Sequence, residues 1–138
     1  DWSSDVCSSD LGRLMYWMDV AAAMAAWKHC NAPCVTASVD NISFVSPIKL
    51  GNVVHIEAKV SRAFNTSMEI HIKVWGEDYT QQYKYESNEA YFTFVALDPN
   101  GKPRKVPELI PESEDEKRRF KEGEARLNDL RLKNQSKK

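Results

Sequence analysis

The chain has 138 residues, enough for one domain with its own core, and its 42% hydrophobic and 28% charged residues are the ordinary balance of a globular protein. A net charge of -1 excludes attachment to nucleic acid through overall charge. The three cysteines, Cys7, Cys30 and Cys34, cannot all pair within the chain, which excludes a closed disulfide framework and fits a reducing compartment. In chain order, residues 1–10 (DWSSDVCSSD) come first, with Ser-Ser-Asp at 3–5 and again at 8–10. They are polar and acidic, unlike a secretory signal, and carry no apolar period. They read as a disordered or non-native segment with no part in the fold. Residues 12–29 read as a helix rich in Ala, Met and Leu. It is apolar on nearly every face, which predicts burial, and five alanines keep it thin. The longest apolar stretch, 14–27, is interrupted by Asp19 and falls short of the roughly 20 residues of a membrane span. Lys28 and His29 suit the end of the helix, and Asn31 with Pro33 stops it.

Strand alternation follows. Val35, Ala37 and Val39 are the first apolar set, and Ile42 and Phe44 continue it past a bend. Val54, Ile56, Ala58 and Val60 alternate with polar residues, as do Met68, Ile70, Ile72 and Val74. Residues 76–88 read as a polar turn region. Residues 90–97 (AYFTFVAL) are apolar on both faces, as in a central strand, and Asp98-Pro99-Asn100-Gly101 is a turn. From Glu108 onward 17 of 31 residues are charged, which predicts a solvated helix and tail carrying pairs such as Glu114–Arg118 and Glu122–Arg126. Binding of a partner is the second reading of that tail.

Asp19 is the residue that fits least. It lies among Met18, Val20 and the alanines, where a carboxylate is costly unless it is bonded. A helix-dipole role would not require apolar surroundings, whereas a general base or nucleophile gains from them. The other candidates are weaker. His29, Cys30 and Cys34 lack zinc spacing and a fourth ligand, so no metal is expected. His55 and His71 fall on polar strand faces and read as solvated. Trp17, Trp27 and Trp75 read as core or interface residues. No Gly-rich phosphate loop, nucleophile elbow or nucleic-acid motif is present.

The strings GRLMYWMDVAAAMAAWKHC, VTASVDNISFVSPIKLGNVVHIEAKV, TSMEIHIKVW and AYFTFVALDPNGKPRKVP lie in order within about residues 11–107. Together they resemble the hotdog-fold acyl-CoA thioesterases of the cytosolic, brain acyl-CoA hydrolase type and their short bacterial relatives. The resemblance implies an α+β fold, with a curved antiparallel sheet wrapped around one long central helix and a charged C-terminal helix or tail at 108–138. It implies hydrolysis of acyl-CoA to fatty acid and CoA, with Asp19 as general base or nucleophile. Gly12 matches the amide donors for the oxyanion at the helix N-terminus, with Leu11 where the family has a second glycine. Thr36 matches a position that orients water. Asn65, Thr66 and Ser67 match a loop that contacts the nucleotide of CoA, although Phe64-Asn65 stands where the family has Gly-Arg. By charge alone, Lys102 and Arg104 are candidates for the CoA phosphates. No cofactor is implied, because CoA is part of the substrate. The implied assembly is a homodimer or a hexamer built as a trimer of dimers, in the cytoplasm, without nucleic acid or membrane. The family's first strand and an Asn-bearing, Gly-rich loop have no match ahead of the helix, where residues 1–10 stand. Their absence predicts apolar surface left open beside one strand. A hydratase or dehydratase of the same fold would need a histidine near the acid, and the helix offers only His29 at its far end. A non-catalytic acyl-CoA binder or an NTF2-like scaffold is the reading from outside the enzyme class.

Overall fold

The structure, a computed structural model, describes residues 8–136. Along the chain they form α1 (Ser8–Cys30), β1 (Cys34–Phe44), β2 (Val53–Ala63), β3 (Ser67–Asp78), β4 (Tyr83–Ala96) and α2 (Glu114–Ser136). The strands make one open antiparallel sheet in the order β1-β4-β3-β2. β4 is central, as its two apolar faces predict, and β3 lies beside it.

Period-2 alternation decides the two faces of the sheet. Met68, Ile70, Ile72 and Val74 of β3, with Ala90, Phe92, Phe94 and Ala96 of β4, point to one side and are at most 1% exposed. α1 lies on that face and buries Leu14, Met18, Ala22, Ala26 and Cys30, one residue in every four. Small side chains in that stripe let the helix approach the sheet closely. Fully burying each large side chain of this core contributes about 1.5–3 kcal/mol. Asn31 ends α1 in the left-handed region at φ 52°, with its amide donating to Trp27 O at 2.7 Å. The turn at 98–101 forms as its sequence predicts: Gly101 N donates to Asp98 O at 2.9 Å, and Gly101 takes φ 78°.

Several expectations are corrected. The helix starts at Ser8, so Ser8, Ser9 and Asp10 belong to an element rather than to a segment outside the fold. Residues 1–7 lie outside the described residues. α1 is not covered on all sides: Tyr16, Trp17, Val20, Met24 and Trp27 are exposed on the flank away from the sheet. Four strands on one side of a helix cover one stripe of it, and composition cannot distinguish a covered apolar face from a bare one. Trp17 and Trp27 are accordingly not core residues of this chain. Residues 76–88 are mostly strand, and only 79–82 turn. Main-chain pairing of Glu77 with Lys84 and of Asp78 with Tyr83 extends the hairpin past the apolar core, so the apolar alternation that marks other strands is missing there. Asp78 Oδ1 closes the turn by accepting from Thr80 N at 3.0 Å and Thr80 Oγ1 at 2.6 Å.

α2 is not merely solvated. It docks on the outer face of the sheet, where Arg126 makes two bonds of 2.6 Å to Glu69 of β3 through Nε and Nη2. Arg126 also lies 3.8 Å over the Tyr91 ring, and Arg62 of β2 lies 4.3 Å over Phe120. The i,i+4 pair Glu122–Arg126 forms at 3.5 Å, but Glu114 pairs with Lys117 and Arg118 with Asp115. His71, expected to be solvated, is buried beneath this helix with Nε2 2.7 Å from Glu89 Oε1. His55 is partly exposed, 2.8 Å from Glu77 and stacked on Trp75.

Candidate active site

Asp19 projects from the flank of α1 that borders β1. Helical spacing puts Tyr16 and Ala23 beside it, three and four residues away. β1 brings Thr36 up to it, and Thr36 Oγ1 donates to Asp19 Oδ1 at 2.8 Å. Thr36 pairs with Phe94, and Phe94 with Met68, a row whose side chains face α1. Two residues from different elements, singled out in the sequence on different grounds, thus share one hydrogen bond. Asp19 is half-buried rather than enclosed, and Thr36 is exposed. One carboxylate oxygen is held in place while the other faces open surface, an arrangement suited to accepting a proton from water or approaching an electrophilic carbonyl. The exposed flank of α1 next to it is apolar, with Tyr16 64%, Met24 68% and Trp27 51% exposed.

Gly12 is not brought to this pair. A helix beginning at Ser8 puts Gly12 in its second turn, where amides bond to the carbonyl four residues back. Gly12 also lies about 10 Å along the axis from Asp19. A side chain at Gly12 would meet nothing within 4 Å, so no close approach in this chain demands glycine there.

The five candidate CoA contacts gather at the end of the sheet where β1 begins. Asn65, Thr66 and Ser67 form the β2–β3 turn, closed by Phe64 N donating to Ser67 O at 2.8 Å. Thr66 O accepts from Ala96 N at 3.1 Å, and Asn65 O accepts from Val106 N at 2.8 Å, which ties this turn to the segment after β4. Lys102 and Arg104 sit on that segment, with Arg104 N donating to Ala96 O at 2.9 Å and both side chains exposed. Ser67 pairs with Val95 in the row next to Met68, so its side chain points to the face away from Asp19.

His29 is far from the acid. It follows Asp19 by about ten residues, roughly 15 Å of helix, and its Nε2 lies 2.7 Å from Pro107 O. The thiols of Cys30 and Cys34 are buried at the helix end, and burial pushes Cys34 up to about 12. Among the described residues no group of three or more His, Cys, Asp or Glu side chains could hold a metal. Sequence reasoning missed the Glu69–Arg126–Tyr91–His71–Glu89 cluster beneath α2. Its one signal was Phe120, Leu127 and Leu130 on a helix otherwise made of charges.

Residues 12–81 match the Thioesterase superfamily. The chain is 41% identical over 126 residues to the mouse cytosolic acyl coenzyme A thioester hydrolase, covering 90% of this chain and 33% of that protein. It thus spans about a third of the length of the curated relatives of this kind. Its structure superposes on an acyl-CoA hydrolase from Staphylococcus aureus, in complex with butyryl-CoA, CoA and CoA disulfide, with TM-score 0.85 and 36% identity over 91% of this chain and 77% of that one. The same hydrolase has been solved with a threonine, an asparagine or an aspartate replaced by alanine. An apo-hexameric acyl-CoA thioesterase superposes with TM-score 0.86 at 33% identity, over 88% of this chain and 78% of that one. With this match over half its length and this likeness over nine-tenths of it, the chain belongs to the thioesterase superfamily, and its helix packed on an antiparallel sheet is the hotdog fold.

Proposed function

We propose that the chain hydrolyses acyl-CoA thioesters to free fatty acid and CoA, with Asp19 as general base or nucleophile. The observation that carries this is the 2.8 Å bond from Thr36 to Asp19. The aspartate and threonine replaced in the Staphylococcus hydrolase stand 17 positions apart, as Asp19 and Thr36 do. In the proposed reaction Asp19 takes a proton from water as the oxygen attacks the thioester carbonyl. The tetrahedral oxyanion collapses, the C–S bond breaks, and CoA leaves as the thiol with that proton. Thr36 fixes the carboxylate and keeps lone pairs to orient the water. Lys102 and Arg104 meet CoA phosphates, and the 65–67 turn meets its nucleotide. The hydratase reading loses support because His29 is distant and engaged with Pro107.

The working unit in this reading is a homodimer, or a hexamer built from dimers. Gly12 is distant from Asp19 and its amide is bonded within the helix, so in this reading the free amides of the first turn of α1, ahead of Gly12, would serve the Asp19–Thr36 pair of a second copy. The bare apolar flank of α1 beside that pair, Tyr16, Val20, Met24 and Trp27, is what the second copy would cover. The asparagine replaced in the Staphylococcus hydrolase precedes its aspartate by 15 positions, and this chain has Ser4 at that spacing. Activity therefore rests on Asp19, Thr36 and the helix amides. The mouse relative is named as cytosolic, and the cytosol is the proposed location. Thiol release across a panel of short, medium and long acyl-CoAs tests the function. Turnover of at least one supports hydrolysis, and saturable binding without release of thiol would establish a binder instead.

A further inference from the structure

Three buried sulfur-bearing side chains from three elements lie where α1 hands over to β1. Cys30 closes α1, Cys34 opens β1, and Met68 lies in the buried row of β3. The Cys30 thiol donates to Met68 Sδ at 3.7 Å. The Cys34 thiol, four residues on from Cys30, reaches Ala32 O at 3.3 Å. Both cysteines are free, each is 7% exposed, and Met68 is fully buried. None of the three has a part in the proposed hydrolysis.

We propose that Cys30, Cys34 and Met68 form a binding site for a soft monovalent ion, Cu(I) by preference. Two thiolates and a thioether are the donor set that selects Cu(I) over harder ions. Metal–thiolate bonds of about 2.3 Å require sulfurs roughly 4 Å apart around a trigonal ion. The Cys30–Met68 spacing is already close to that. Zinc would need a fourth ligand, and its tetrahedral site is not offered by this set. Coordination releases the proton of each thiol, and copper remains in the +1 state throughout. The ion would tie the end of the Asp19 helix to the start of the Thr36 strand and to β3.

The test is anaerobic titration of the full chain carrying Cys7→Ser with Cu(I) buffered by bicinchoninate. The expected result is one Cu(I) retained per chain, with proton release in weak buffer and a higher Tm in its presence. Cys30→Ala and Cys34→Ala should each abolish retention. Met68→Leu conserves volume and should keep the fold while weakening retention roughly 10-fold. Circular dichroism of each apo variant reads folding separately from binding. Absence of retained Cu(I) in the folded Cys7→Ser chain would overturn the site, as would retention unchanged in folded Cys30→Ala and Cys34→Ala. Neither outcome depends on thioesterase activity.

Discussion

Thr36 shows how one hydroxyl sets the chemistry of a neighbour. Its bond to Asp19 fixes the carboxylate on the side facing β1 and leaves the second oxygen open. Thr36→Val keeps the shape and removes that bond. A hydrogen bond to a charged group is worth about 1.5–3 kcal/mol, so kcat/KM should fall roughly 10- to 100-fold, measured by thiol release. Gly76 carries a steric demand of another kind. A Cβ there would collide with the Tyr85 ring across the strand pair. Tyr85 in turn holds the 45–52 loop through its hydroxyl, which accepts from Asn52 Nδ2 at 2.8 Å and Lys49 N at 3.2 Å. Gly76→Ala should therefore destabilise by about 1–3 kcal/mol, with a lowered denaturation midpoint. Gly76→Ala combined with Tyr85→Ala should recover part of the loss. His71 supplies a pH dependence. Burial pushes its imidazole below the usual 6.5, and Arg119 adds to this while Glu89 opposes it. Its folded value lies below its unfolded one, so this stabilisation is complete above about pH 6.5 and is lost as pH falls through the folded value. The decline of Tm between about pH 7.5 and 5.5 should be shallower in His71→Gln than in the parent. An equal slope would remove His71 from the balance. Asp19 was legible in the sequence because a carboxylate stood among alanines. Thr36 followed from the family resemblance and not from its own surroundings.

At the scale of elements, the sequence was clearest where apolar spacing matched geometry. Phe92 and Phe94 alternate as a strand must, and β4 lies inside the sheet. Hairpin residues 76–78 and 83–88 were illegible as strand because their pairing uses main-chain bonds and cross-strand charges rather than an apolar face. α2 was legible as a helix and not as a docked one. What holds it is the buried Arg126–Glu69 pair, with side chains 15% and 5% exposed, rather than a broad apolar stripe. Ser61 Oγ adds a bond of 2.6 Å to Glu69 Oε1, and Arg126 Nη2 another of 2.9 Å to Arg119 O. Removing one partner leaves a buried charge without compensation, at a cost of about 3–5 kcal/mol. Arg126→Ala should undock α2, read as faster limited proteolysis within residues 114–136. Lys117→Ala, which removes only an exposed i,i+3 pair, should change stability by less than about 0.5 kcal/mol.

At the scale of the whole molecule, the structure leaves apolar surface where the fold alone gives it no cover. Both sheet edges, β1 and β2, lack a neighbouring strand among the described residues, and α1 leaves an apolar flank exposed on its side away from the sheet. Long open edges favour association, and two-fold pairing is its commonest form. Light scattering at micromolar concentration should therefore give a dimer or a multiple of it. Trp17→Glu together with Met24→Glu should shift the mass toward monomer and depress activity in parallel. This bare flank was illegible from composition, which reported an apolar helix without saying which part another surface covers. The most direct test is CoA thiol release from butyryl-CoA by Asp19→Asn beside the parent chain, at matched concentration and with circular dichroism showing both folded. Asparagine is nearly isosteric and can still accept the Thr36 bond, but it cannot take a proton from water. The expected result is a parent that turns over and a variant whose kcat is lower by about 100- to 10,000-fold. Near-parental turnover by the folded variant would contradict it.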